Sequence, residues 1–315
     1  MSNPILALIP SGYKADKVYS IIPSDGTKDF TFVRAGAGTR VREDGLIETI
    51  GASTDDIARL TWLNTNCPSL HIEAQRTNRQ IRSEEFSNAA WVKQADITVT
   101  ADQVTAPTGE MTADKIQRGS TINTNNYISD FITKSSGTAL DLTTSVFVKQ
   151  GEGDFFAFRS QGIYADGRGE AIYQFSTNTL TVSASGQFSV VTSSVENYGS
   201  GWYRLSATFN TDAHTQAGTF FSPRATSGQI DQTDTSTTAF VYLWGCQVEE
   251  GSSLSSYIKT EGSQSTRNAD VCSVTTPSGV VKITETFSDD TTNVITSIPS
   301  TYTVSAGKIK KVIMI

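Results

Sequence analysis

Between positions 91 and 257 the chain is a succession of short runs rich in Val, Ile, Thr, Phe and Tyr, each closed by Gly, Asn, Asp or Ser. Candidate strands fall at 97–100, 126–132, 144–149, 155–160, 170–175, 179–184, 187–196, 202–209, 219–224 and 238–247. Ser185-Gly186 and Thr177-Asn178 are the clearest breaks, because each supplies a residue that tolerates the backbone angles of a tight turn. Short strands at near-regular spacing predict an all-β sandwich or barrel. Runs of good helix formers are nearly absent, Gly occurs 24 times, and only 18% of the residues are charged. The 315 residues exceed the usual size of a single core, which predicts one main domain with smaller modules at its ends.

Charge narrows the partners. With 25 basic against 32 acidic residues the net is -7, which argues against nucleic acid, since that ligand normally needs a basic face. Cys67, Cys246 and Cys272 are odd in number and lack metal-ligand spacing, so they neither require nor exclude an oxidising compartment. The start, Met1 to Pro10, has no basic region, too short an apolar core for a signal peptide and two prolines. The expectation is synthesis in a cytoplasm without membrane insertion.

Residues 1–75 read as short β-hairpins without a large core. Ser24-Asp25-Gly26 lies between the β-type runs 17–22 and 29–33, and Glu43-Asp44-Gly45 between 40–42 and 46–48. The glycine-rich stretch Arg34 to Arg40 lacks the helix and the Lys-Ser/Thr pair of a phosphate loop, so it reads as a turn. Residues 271–315 are rich in Thr, Val, Ile and Ser, with strand candidates at 279–287, 293–298 and 308–315. They are expected to form a separate C-terminal β module, whose apolar end Val312-Ile313-Met314-Ile315 must be covered by another subunit or by the sandwich.

Few residues suggest chemistry. His71 and His214 lie far apart, and neither neighbourhood shows the Gly-x-Ser-x-Gly elbow of a hydrolase. His-Glu-x-x-His, Cys-x-x-Cys and Asp-x-Asp-x-Asp-Gly patterns are missing as well. The acidic pairs Glu84/Glu85 and Glu249/Glu250 raise the question of a glycosidase, which needs two carboxyl groups roughly 5 to 9.5 Å apart. Neighbours on a strand point to opposite faces, so the pairs are expected to cap turns or bind backbone instead.

The run Ala239 to Trp244 is almost wholly apolar, as in a strand buried on both faces, and it leads into Gly245-Cys246-Gln247-Val248-Glu249-Glu250-Gly251 and Ser256-Tyr257-Ile258. Upstream lie Glu73-Ala74-Gln75-Arg76-Thr77-Asn78 and Ser83-Glu84-Glu85-Phe86-Ser87-Asn88-Ala89-Ala90-Trp91, followed in order by Thr112-Ala113-Asp114-Lys115-Ile116, Ser145 to Lys149, Gly201-Trp202-Tyr203-Arg204-Leu205 and Thr266-Arg267-Asn268-Ala269-Asp270. In this order the segments resemble a jelly-roll module of bacteriophage tail-fibre and head-fibre proteins, with departures at Ala74, Glu85 and some apolar positions. That module is similar to carbohydrate-binding modules of bacterial glycanases.

The resemblance implies a jelly-roll sandwich over 76–270, with 1–75 as an attachment region. It implies a virion structural protein that is not an enzyme, assembled as a homotrimer beside other virion proteins and binding host-surface polysaccharide. No cofactor is implied beyond a possible structural calcium ion. Phe86, Trp91, Phe147, Trp202 and Trp244 lie inside the shared segments and are expected in the core, whereas Tyr127, Phe155, Phe156, Tyr164, Tyr173 and Tyr198 are freer to meet a ligand. The stretch Arg159 to Arg168 combines one aromatic residue with glycines and both charge signs. There Tyr164 is expected to stack on a sugar while Arg159, Asp166 and Arg168 bind its hydroxyls. The rival readings are a capsid or tail decoration that binds only protein, and a glycan hydrolase.

Overall fold

A computed structural model of the chain describes residues 3–51, 56–63, 65–119, 125–164 and 166–315. Among these, every regular element is a β-strand. The strands gather into two compact units, Thr77–Thr266 and the combination of Met1–Arg76 with Arg267–Ile315.

The Thr77–Thr266 unit is a two-sheet sandwich. Its described strands are β1 (Val92–Lys93), β2 (Thr98–Thr105), β3 (Met111–Gln117), β4 (Ile128–Thr133), β5 (Asp141–Glu152), β6 (Phe155–Gly162), β7 (Gly167–Gln174), β8 (Thr179–Gly186), β9 (Ser189–Gly199), β10 (Trp202–Asn210), β11 (Gln216–Arg224) and β12 (Phe240–Glu250). Sheet one runs β1-β4-β11-β6-β7-β8 and sheet two β2-β3-β12-β5-β10-β9. All their pairings are antiparallel. Most of these strands match the expected runs; β3 was anticipated only as a segment of the fibre-protein resemblance.

Aromatic rings fill the space between the sheets. Phe221 of β11 sits among Trp91 (5.6 Å between centroids), Phe156 (5.8 Å), Phe86 (6.1 Å) and Phe158 (6.5 Å), all fully buried. Phe156 and Tyr173, expected to be free for a ligand, belong to this core, because the alternation of β6 and β7 turns them inward.

Beyond the core side, sheet two carries a second layer. Gly245 adopts a φ of 62° and opens a bulge between the Ser145 and Phe147 pairings, so Leu243, Cys246 and Val248 face the core. Trp244 packs instead against Phe147 (5.2 Å) and Tyr257 (4.5 Å). Gln247 accepts the Ile258 amide at 2.7 Å, Glu249 accepts the Ser255 amide at 2.7 Å, and Arg204 donates to the Ser255 carbonyl at 2.8 Å. Asn78 donates to the Ile258 carbonyl at 2.8 Å while accepting the Val248 amide at 3.0 Å. Asn78, Arg204, Gln247 and Glu249 thus converge here, holding residues 255–258 over the sheet, and β12 is buried on both faces.

The acidic pairs also serve structure: Glu84 accepts from Tyr257, Glu85 pairs with Arg82, and Glu250 pairs with Arg79.

The second unit corrects the expected division of the ends. Gly307–Met314 pairs with Leu6–Leu8, with Ile283–Phe287 and with Ser69–Ile72, so segments from 1–75 and 271–315 build one sheet rather than two modules. They share a core that includes Leu6, Leu8, Phe30, Phe32, Leu70, Ile283, Tyr302, Val312 and Met314. The apolar terminus is therefore covered within its own unit. Both expected hairpins form, Lys17–Val18 with Phe30–Val33 and Gly38–Val41 with Ile47–Ile50; the glycine-rich stretch bends at Ala35-Gly36, and its residues 38–40, expected in a turn, belong to the second hairpin.

Charge is buried here too. Asp270 pairs with Arg34 (3.2 Å) and Arg59, and Glu73 pairs with Arg59 (2.5 Å) and lies 3.4 Å from His71. Burial holds the His71 imidazole at about 4, the pull of Glu73 being opposed by Arg59 and Lys308.

Two outcomes follow. Phe221→Ala should lower the stability of the sandwich by about 3 to 5 kcal/mol, read as a fall in the denaturant midpoint. Between about pH 6.5 and about 4 an unfolded His71 takes up a proton that the folded unit refuses, so stability falls as pH drops through that window. In His71→Gln the decline in melting temperature over the same window should be smaller.

Candidate functional site

The pleat of sheet one decides which side chains leave the core. Along β6, Phe156 and Phe158 face inward and Ala157, Arg159 and Gln161 outward; along β7, Ala171 and Tyr173 face inward and Arg168, Glu170 and Ile172 outward. Pairing aligns the outward residues in rows. Ser129, Phe220, Arg159, Glu170 and Ser183 form one row, and Phe131, Gly218, Gln161, Arg168 and Ser185 the next.

Aromatic residues occupy one side of this face. Phe220 meets Tyr127 edge-on at 5.2 Å and Phe131 at 5.9 Å. The Phe131 ring takes the space above Gly218, where a β-carbon would come within 2.8 Å of it. Only glycine allows the ring to lie over the neighbouring strand, and Phe131 remains 43% exposed there.

Charged residues occupy the other side. Arg159 binds Glu170 through Nε and Nη2, donates to Gln161 Oε1 at 3.1 Å and approaches Asp231 Oδ1 at 3.1 Å. Arg168 donates to Asp231 Oδ2 at 2.7 Å and to Gln229 Oε1 at 3.1 Å. The Asp231 carboxylate thus bridges both guanidinium groups. Its connecting segment is anchored by buried Ile230, which packs on Ala157 and Phe220, and by Asp234, which accepts the amides of Ala225, Thr226 and Ser236.

Arg159 and Glu170 are almost fully buried, while the side chains of Arg168 (34%) and Asp231 (36%) remain partly open. Burial raises the Glu170 carboxyl above its usual range despite Arg159. Partial burial acts the same way on Asp231, but Arg159 and Arg168 outweigh it and hold that carboxyl low.

The expected ligand residues divide between two places. Arg159 and Arg168 lie on strands and join the outward face. Tyr164 and Asp166 lie in the turn between β6 and β7, where Ala165 falls outside the described residues. Tyr164, 74% exposed, meets the His214 ring edge-on at 4.8 Å, and Asp166 Oδ2 is 2.8 Å from His214 Nε2. Asp212 completes this group, and one ligating atom from each of Asp166, Asp212 and His214 falls within 4.8 Å of the others.

Glu170, Gln161, Phe131, Phe220 and Asp231 escaped the sequence reading. The period-two pattern of 155–161 and 168–174 carries the signal for Gln161 and Glu170; Asp231, in a long connection, gives none.

No protein-family model and no curated protein matches the chain. Among solved structures, it is similar to the tailspike protein 4 enzymatically active domain of bacteriophage CBA120, with TM-score 0.33 and 9% identity over 55% of this chain and 21% of that one. It is similar to the CBM22-1 xylan-binding domain from Paenibacillus barcinonensis Xyn10C, with TM-score 0.31 and 12% identity over 56% of this chain and 94% of that one. A third likeness is to the CBM22-1-GH10 modules of Clostridium thermocellum xylanase 10B complexed with xylohexaose, with TM-score 0.30 and 10% identity over 59% and 30% of the two chains.

Removing one partner of the buried Arg159–Glu170 pair leaves the other with a single opposite charge, Arg168 at 3.7 Å from Glu170 or Asp231 at 3.1 Å from Arg159. Arg159→Ala should cost about 3 to 5 kcal/mol, and the double change Arg159→Leu with Glu170→Leu should recover most of that loss, both measured by urea unfolding.

Proposed function

We propose that the Thr77–Thr266 unit binds glycans without altering them, and that the outward face of sheet one is the binding surface. One observation carries the reading: the half-exposed Phe131 ring, laid over Gly218, shares that face with the partly open Arg168, Asp231 and Gln161. A sugar ring offers a C–H face for an aromatic side chain and hydroxyls that donate and accept in pairs. The arginine–carboxylate lattice presents donors and acceptors already fixed in place, which lowers the ordering cost of binding.

The same lattice supports binding rather than hydrolysis. A glycosidase needs one carboxyl that protonates the leaving oxygen and a second that acts as base or nucleophile. Asp231 is held ionised by two arginines, and Glu170 is buried against Arg159.

Placement on a virion beside other virion proteins, attachment to host-surface polysaccharide and assembly as a homotrimer belong to the same proposal. The ordered segments from Glu73 to Asp270 support them; the apolar terminus, covered within its unit, does not. Affinity of a single shallow face should be weak, and three linked copies would multiply it without a new contact.

A glycan array that includes host-envelope polysaccharide tests the reading. The parent should be retained, and Phe131→Ala combined with Arg168→Ala should abolish retention while the melting temperature stays close to the parent's. Undiminished retention by the double variant would exclude this face, and a parent that binds no glycan would favour a decoration that binds virion protein.

A further inference from the structure

We propose that Asp166, Asp212 and His214 form a binding site for one divalent transition-metal ion of the Zn²⁺ type. The argument begins with Asp212, whose side chain is fully shielded from solvent. Its Oδ1 is served by the His214 amide at 3.3 Å and by Lys134 Nζ at 3.6 Å, whereas Oδ2 has no hydrogen-bond donor. Asp166 Oδ1 lacks a donor from outside the cluster, its carboxyl lying within hydrogen-bond reach of Asp212 itself. A buried anionic oxygen without a donor or cation is costly, and here two such oxygens belong to one cluster.

Gly162 shows that space is kept for them. A β-carbon at this position would fall 1.7 Å from Asp212 Oδ2 and 3.1 Å from Asp166 Oδ1, so both free oxygens lie over the bare α-carbon of the last residue of β6. The charges point the same way: two carboxylates against the single ammonium of Lys134 leave a net negative site that a divalent cation would neutralise.

The donor set selects the kind of ion. Calcium takes six to eight oxygens, whereas one imidazole nitrogen with two carboxylate oxygens suits zinc and its neighbours, with water at the open position. On binding, His214 Nε2 would exchange its 2.8 Å contact with Asp166 Oδ2 for the metal.

The ion would join the turn after β6 to the connection between β10 and β11, two segments already in contact through Asp166 and His214 and through Tyr164 and His214. Tyr164, whose ring rests on His214, would be fixed with them. The inference is independent of the glycan reading, because none of its three ligands belongs to the outward sheet face.

The test uses chelator-treated protein in a Cys67→Ser background, which removes the exposed thiol as a rival ligand. At about pH 7.5, calorimetric titration with ZnCl₂ should show one ion per chain, and the melting temperature should rise with the metal. His214→Gln and Asp166→Asn change partly exposed side chains and should lose both effects while melting like the metal-free parent. Co²⁺ in place of Zn²⁺ should give visible bands without thiolate charge transfer. The proposal is overturned if the parent binds no zinc, if His214→Gln binds it undiminished, or if Ca²⁺ binds with one-to-one stoichiometry and zinc does not compete.

Discussion

The register of β6 against β7 and β11 is the constraint on which the sandwich and its outward face both depend. Phe158 pairs with Ala171 and Phe221, while Arg159 pairs with Glu170 and Phe220. A slip by one residue would send Arg159 into an aromatic core and expose Phe158 to water. The cost of burying the guanidinium without its carboxylate excludes the alternative as firmly as burial of Phe156, Phe158 and Phe221 favours the observed pairing. Core and candidate site are two sides of one choice, and the aromatic packing inside keeps the charged lattice outside in alignment.

Strand spacing announced the sandwich, and the Trp244-Gly245 segment announced a strand buried on both faces. What spacing could not show is that Asn78, Arg204, Gln247 and Glu249 converge on residues 255–258. These residues are used up in supporting the fold, so they say nothing of a ligand. The face that could select a ligand is drawn from residues outside them. Arg159 and Arg168 were legible because their sequence neighbourhood is polar, but the eye grouped them with Tyr164 and Asp166 when the pleat separates them. Asp231 and His214 reach their partners only through tertiary structure, across connections that have no period to read.

The chain ends depend on tertiary structure in the same way. A pairing such as Leu6 with Met314 leaves no local mark, so two halves of one sheet looked like two modules. Their unit holds Arg34, Arg59, Arg267, Glu73 and Asp270 in a shared charged network. Buried ion pairs contribute little net stability because desolvation offsets attraction. Their geometric demands are strict, however, and in this unit five charged groups from both ends of the chain are brought within reach of one another.

The interruption of that unit by Thr77–Thr266 has a consequence for synthesis. The sandwich is one continuous stretch, so it can close as soon as its own residues have left the ribosome. Leu6 and Leu8 find their strand partner only at Val312 and Met314. At about 5 to 20 residues per second, that interval is on the order of tens of seconds. Throughout it the first strands of the split unit carry core leucines that still lack this partner strand, while the sandwich encoded between them can already be folded.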